Sequence, residues 1–115
     1  MRILVIDDEP MVAGVVAEAL QSEGYQVVVA GSGEEGLRLI ETNSPDAVFL
    51  DIVMPGMDGI EVLRRIRERT RDLPVIILTG WATERQLDEV RTLGVTDVIS
   101  KPVAVRNLTR ALARR

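Results

Sequence analysis

The chain contains no cysteine and no histidine. Without thiols there are no disulfides and no thiolate metal sites. Without imidazoles, serine–histidine–aspartate chemistry and the usual zinc sites are excluded as well. Any metal held by side chains must be held through oxygen, which suits magnesium or calcium. Aromatic residues are scarce, with one Trp, one Tyr and one Phe, and the net charge is −4. With neither a basic bias nor an aromatic stripe, direct binding of nucleic acid is not expected. No apolar run approaches the roughly 20 residues of a membrane span, and the N-terminus has no charged stretch leading into a long apolar run. The expectation is a soluble, cytoplasmic protein with no membrane contact. Lysine is almost missing too: of 14 basic residues 13 are arginine, and Lys101 is the exception.

What is present is 115 residues, 46% of them apolar and 28% charged, the size and balance of one domain spanning 1–115. Short apolar runs alternate with amphipathic stretches. Ile3–Ile6 is continuous rather than alternating, as a strand buried on both faces should be, and it ends in Asp7-Asp8. A helical pattern follows, with Val12, Val15, Val16, Ala19 and Leu20 on one face, Pro10 in its first turn and Gly24 at its end. Tyr25–Ala30 reads as a second strand and Gly33–Glu41 as a helix with Leu37 and Ile40 inward. Asp46–Asp51 is a third strand, again ending in an acid. Met54–Gly59 is dense in turn formers, and the helix after it turns Ile60, Leu63 and Ile66 inward and Arg64, Arg65, Arg67 and Glu68 outward.

Pro74–Leu78 is a fourth strand ending at Thr79-Gly80. The fourth helix spans Thr83–Leu93 with Leu87, Val90 and Leu93 inward. Val95–Ile99 is a fifth strand ending at Ser100-Lys101-Pro102. The last helix, Ala104–Ala113, buries Val105, Leu108 and Leu112. Five strand–helix units argue for an α/β fold: a doubly wound, five-stranded parallel sheet with five helices over its two faces. A closed eightfold barrel would need about twice the length.

In open α/β sheets ligands bind at the carboxyl ends of the strands. Here those ends carry Asp7 and Asp8, then Asp51, Thr79 and Lys101. Clustered carboxylates repel and raise one another's pKa, and a divalent cation on oxygen ligands relieves that repulsion. An ammonium nearby can pair with an aspartate or an added phosphoryl group. The Thr79 hydroxyl can donate to a phosphoryl oxygen. The Asp51 carboxylate could then be the nucleophile of a phosphoryl transfer. Singly, each residue has a plainer reading as a helix cap, a turn former or a solvated charge; Asp46 and Asp58 are read that way.

Val5–Pro10, Pro45–Gly59, Ile77–Gly80 and Ser100–Pro102, taken together in this order, resemble the receiver domains of two-component response regulators, chemotaxis regulators among them, over essentially the whole chain. The resemblance implies a flavodoxin-like (βα)5 fold and a phosphorelay switch rather than a turnover enzyme: a protein that catalyses its own aspartyl phosphorylation and loses the group slowly. It implies Asp51 as phosphoryl acceptor, Asp8 as a direct and Asp7 as a largely water-mediated metal ligand, and the Val53 backbone carbonyl as a further ligand. Thr79 becomes the switch hydroxyl and Lys101 a phosphoryl contact, with a cis bond between Lys101 and Pro102. The implied metal is Mg2+, with Mn2+ as a substitute. The implied donor is a phosphohistidine on a sensor histidine kinase or a histidine phosphotransfer protein. Downstream lies an effector or output domain, reached through the surface of the fourth helix, fifth strand and fifth helix (Asp88, Arg91, Val95, Asp97, Arg106 and Arg110). A phosphorylation-dependent homodimer through helices four and five is one assembly open to the family, as is a monomer.

The chain departs from the family at Val98, where many receivers carry an aromatic ring that moves with the threonine. Val53 and Trp81, two residues after Asp51 and Thr79, offer no group to orient an attacking water, so slow self-dephosphorylation is expected. Trp81 is read as a partly buried packing residue. The alternative function is a receiver-like protein-binding module that works without phosphorylation, which only Val98 supports. A phosphatase of the haloacid dehalogenase type would want an aspartate where Val53 stands.

Overall fold

The computed structural model describes residues 1–54, 56–101 and 104–113, and for residue 105 the backbone alone. Five strands and five helices alternate: β1 Arg2–Ile6, α1 Pro10–Ser22, β2 Gln26–Ala30, α2 Gly33–Asn43, β3 Ala47–Asp51, α3 Gly59–Arg69, β4 Val75–Thr79, α4 Glu84–Leu93, β5 Asp97–Ser100 and α5 Val105–Ala113. The strands form one sheet in the order β2-β1-β3-β4-β5, and every pairing is parallel. The expected doubly wound α/β sheet is therefore the fold. The unbroken apolar runs explain it, since β1, β3 and β4 are covered on both faces.

Residue parity divides the core. Ile3, Val5, Ala47, Phe49, Ile76 and Leu78 face α1 and α5, where Ala13, Val16, Leu20, Leu108, Ala111 and Leu112 meet them. Leu4, Ile6, Val48, Leu50, Val75 and Ile77 face the other side, against Ile60, Val62, Leu63 and Ile66 of α3 and Val90 of α4. Alternate residues of a strand point to opposite faces, so one apolar run serves two layers.

Helices α3 and α4 are capped as their sequences suggest. Asp58 accepts from the Glu61 N–H at 2.9 Å, and Thr83 and Gln86 form a reciprocal capping box. Asp46 accepts the Arg2 N–H at 2.8 Å. Both aspartates are thus the structural residues they were read as. Gly24 follows α1 with φ +94°, a left-handed turn that suits glycine.

Some expectations need correcting. The buried residues of α1 are Ala13, Val16, Ala17 and Leu20, spaced i, i+3, i+4 and i+7. Val15 falls beside that stripe and is 62% exposed. Arg67 is half-buried rather than outward: its guanidinium donates to the Gly94 carbonyl at 3.0 Å and the Thr70 carbonyl at 3.3 Å. Trp81 is 86% exposed, not a packing residue. β2 starts one residue late and β5 runs 97–100 rather than 95–99. The reading of the Lys101–Pro102 bond and of the Val105 side chain lies outside the described residues.

Candidate phosphoacceptor and metal site

Chain order and sheet order diverge at β1: the chain leaves it first for β2 on one side and then for β3 on the other. Crevices at the carboxyl ends of strands form where the winding reverses in this way. Asp7 directly follows β1 and Asp51 ends β3, and Ile6 pairs with Leu50 one residue earlier. The register therefore sets the two carboxylates side by side. Asp51 pairs with Leu78 on β4, and Thr79 pairs with Ser100 on β5, just before Lys101. The Lys101 N–H donates to the Thr79 carbonyl at 2.8 Å, tying the lysine's backbone to the end of β4.

Asp7 and Asp51 are buried, the latter 2% exposed, and Asp8 is half-buried. Carboxylate oxygens of all three lie within 4.8 Å of one another, close enough to share one cation. The donors are all oxygen, and a cation would relieve the mutual repulsion of the carboxylates, so the set fits a hard divalent ion. Lys101, its side chain 13% exposed, reaches into the group. Its ammonium donates to Asp7 Oδ2 at 3.0 Å, Asp51 Oδ2 at 3.2 Å and Glu9 Oε1 at 3.2 Å. Two backbone amides complete the frame. The Val53 N–H donates to Asp51 Oδ1 at 3.0 Å, and the Glu9 N–H donates to Asp7 Oδ1 at 2.9 Å. The two Asp51 oxygens are thus distinct, one held by a peptide N–H and one by the ammonium.

Burial pushes the Asp51 carboxyl above its ordinary pKa. The Val53 N–H and the Lys101 charge oppose this, and the neighbouring Asp7 charge adds to it. Lys101 moves upward too: burial works against its charge, but the bond to Asp7, the charges of Asp51 and Asp7 and the bond to Glu9 outweigh it. Both directions hold together because Lys101 answers to three carboxylates while Asp51 has only a share of one ammonium.

The Thr79 hydroxyl is buried and has no hydrogen-bond partner among the described residues. A buried polar atom left unpaired is costly and calls for an explanation. Gly59 lets the site close from beneath. A Cβ there would lie 2.2 Å from the Asp51 carbonyl oxygen and 2.4 Å from Ile52 Cα. Only glycine allows α3 to start this near the end of β3.

The five strand-end residues named from sequence thus occupy one edge of the sheet, with Asp7, Asp8, Asp51 and Lys101 in one cluster and Thr79 on the adjoining strand end. Of Val53, the amide contact to Asp51 is the interaction described. Val98 is half-buried against the α3 side of the core. Glu9 was not anticipated. Its place beside Asp7 and Asp8 was the only signal, and nothing in the spacing says that its side chain crosses to Lys101. Among the described residues no helix is long and apolar enough to cross a membrane.

The profile of the response regulator receiver domain family matches residues 3–113. The response regulator MprA of Mycobacterium sp. (strain KMS) is 41% identical over 118 residues, an alignment covering 100% of this chain and 51% of that protein. The alkaline phosphatase synthesis transcriptional regulatory protein PhoP of Bacillus subtilis (strain 168) is 36% identical, with 99% of this chain and 49% of that protein covered. The chain spans about half the length of the curated relatives it matches. Among solved structures, a CheY-like receiver domain protein from Methanospirillum hungatei JF-1 superposes with a TM-score of 0.93 at 30% identity, covering 97% of this chain and 90% of that one. The chemotaxis protein CheY4 of Vibrio cholerae gives 0.91 at 28% identity, covering 98% and 96%. These similarities favour phosphorelay signalling over a phosphorylation-independent binding module. The chain belongs to the response-regulator receiver-domain family, the signalling module of two-component systems.

Proposed function

We propose that residues 1–115 form one receiver domain that accepts a phosphoryl group on Asp51. The observation that carries the reading is a buried Asp51 at the switch point of the sheet, ion-paired to Lys101 and within cation-sharing distance of Asp7 and Asp8. The resident ion is Mg2+, which Mn2+ can replace. Asp7, Asp8, Asp51 and the Val53 carbonyl would hold it. When bound, it offsets negative charge on the carboxylates and on the phosphoryl oxygens.

An Asp51 carboxylate oxygen bonds to phosphorus as the donor's bond to phosphorus breaks, and the donor leaves with that electron pair. With a phosphohistidine donor the broken bond is phosphorus–nitrogen, and with acetyl phosphate it is phosphorus–oxygen. Lys101 orients Asp51 beforehand and pairs with the phosphoryl oxygens afterwards. The Thr79 hydroxyl supplies a further donor to those oxygens, which accounts for a buried group with no partner among the described residues. The reaction is self-phosphorylation of a switch rather than turnover.

The upstream partner is a sensor histidine kinase or histidine phosphotransfer protein, in the cytoplasm. Phosphorylation biases a two-state equilibrium of the α4–β5–α5 surface. That surface acts on an effector or an output domain, or on a second phosphorylated copy. Incubation with Mg2+ and acetyl phosphate, read by intact mass, tests the reading. One phosphoryl adduct is expected, dependent on the metal and lost in Asp51→Asn. No adduct from acetyl phosphate or from a phosphohistidine donor overturns it.

A further inference from the structure

Glu9 is the N-cap residue of α1, with Pro10 as the first helical residue, yet its side chain makes no capping hydrogen bond. A glutamate there would ordinarily stay in water or serve the exposed amides of the first turn. Instead its carboxylate reaches Lys101 Nζ at 3.2 Å, across 92 residues of chain, while remaining 59% exposed. An ammonium has three N–H donors. Lys101 spends one each on Asp7, Asp51 and Glu9, so every donor is engaged before a phosphoryl group arrives.

We propose that Glu9 is a positioning residue that acts through Lys101, holding one of its N–H donors at the mouth of the pocket and so slowing phosphorylation of Asp51. The inference rests on the phosphoacceptor reading above. Asp7 and Asp51 are buried and cannot follow the ammonium outward, whereas Glu9 is exposed and can be exchanged for water. Glu9 is therefore the partner the lysine gives up when an incoming phosphoryl oxygen needs a donor. The same carboxylate also adds negative charge where an anionic phosphodonor must enter. Its backbone N–H, which fixes Asp7, is unaffected by side-chain replacement.

The test uses the intact chain with Glu9→Ala and Glu9→Gln. Phosphorylation by acetyl phosphate with Mg2+ is expected to run about two- to fivefold faster in Glu9→Ala, the scale of one exposed ion pair. Glu9→Gln removes the charge but keeps an acceptor, so it should fall between Glu9→Ala and the parent. Lys101 is the sole lysine, so 15N-lysine labelling yields a single side-chain ammonium signal. In metal-free protein that signal should shift and exchange faster with water in Glu9→Ala, which a residue serving only helix stability would not cause. Unchanged rates, slower rates or an unmoved ammonium signal would each overturn the proposal. If the parent chain takes no phosphoryl group, the phosphoacceptor reading fails and the rate claim falls with it, while the lysine signal still decides whether Glu9 holds Lys101.

Discussion

Replacing Gly59 by alanine isolates the contact on which the geometry around Asp51 depends. The added Cβ would sit 2.2 Å from the Asp51 carbonyl oxygen, 2.4 Å from Ile52 Cα and 2.9 Å from the Asp51 carbonyl carbon. All three are backbone atoms, so no side-chain rotation relieves the clash. Reaching an ordinary contact of 3.4 Å requires the start of α3 and the end of β3 to separate by about 1.2 Å. Overpacking of this kind costs about 1–3 kcal/mol, and alanine's better helix propensity returns at most about 1 kcal/mol. We expect a net loss on the order of 1–2 kcal/mol, seen as a lower urea midpoint at unchanged m-value. The larger effect should fall on chemistry, because a misplacement of about 1 Å at a reacting group can cost roughly 100-fold in rate. Phosphorylation by acetyl phosphate, followed by intact mass, measures it. Gly14 in α1 has nothing within 4 Å of its would-be Cβ among the described residues, so Gly14→Ala should stabilise by about 0.4–1 kcal/mol and leave the rate alone. A Gly59→Ala protein with parental midpoint and rate would refute the close-approach argument.

Three further outcomes follow from the same structure. Burial holds the Asp51 pKa above the ordinary 3.8, so the folded state binds that proton more tightly than the unfolded chain. The buried charge therefore costs stability above the folded pKa, and the cost fades as pH falls through it toward 3.8. Metal-free Asp51→Asn should melt higher than the parent at pH 7, with the gain shrinking in acid, and a thermal melt series across pH checks this. Asp58→Ala removes the cap of α3 and should cost about 1 kcal/mol in urea unfolding. With Val53 and Trp81 both apolar and exposed, neither orients a hydrolytic water. Loss of the phosphoryl group should accordingly be slow for the family, and a half-life at its short end contradicts this.

The fold was legible because two periodicities never conflict in this chain. Continuous apolar runs in Ile3–Ile6, Val48–Leu50 and Val75–Leu78 can satisfy only strands covered on both faces, and the stretches between them repeat at helical spacing. The strand-end acids were legible because a parallel sheet brings its carboxyl ends to one edge whatever the loops do. What stayed hidden depends on exact direction and distance. Val15 and the true α1 stripe differ by one position, or about 100° around the helix. The closeness of Gly59 to Asp51 comes from the approach of a helix to a strand, which sequence spacing does not encode. The reach of Glu9 to Lys101 is a choice between capping its own helix and pairing across the sheet edge, and only packing decides it. Trp81 was assigned to packing by residue type, yet the turn before α4 directs it into solvent.

The measurement that tests the central claim most directly is localisation of the phosphoryl group. Protein phosphorylated with Mg2+ and acetyl phosphate would be reduced with borohydride, which converts an aspartyl phosphate to homoserine, and the peptides sequenced by mass spectrometry. The account predicts homoserine at position 51 and at no other aspartate. Homoserine at Asp7, Asp8 or elsewhere, with Asp51 unchanged, would contradict it.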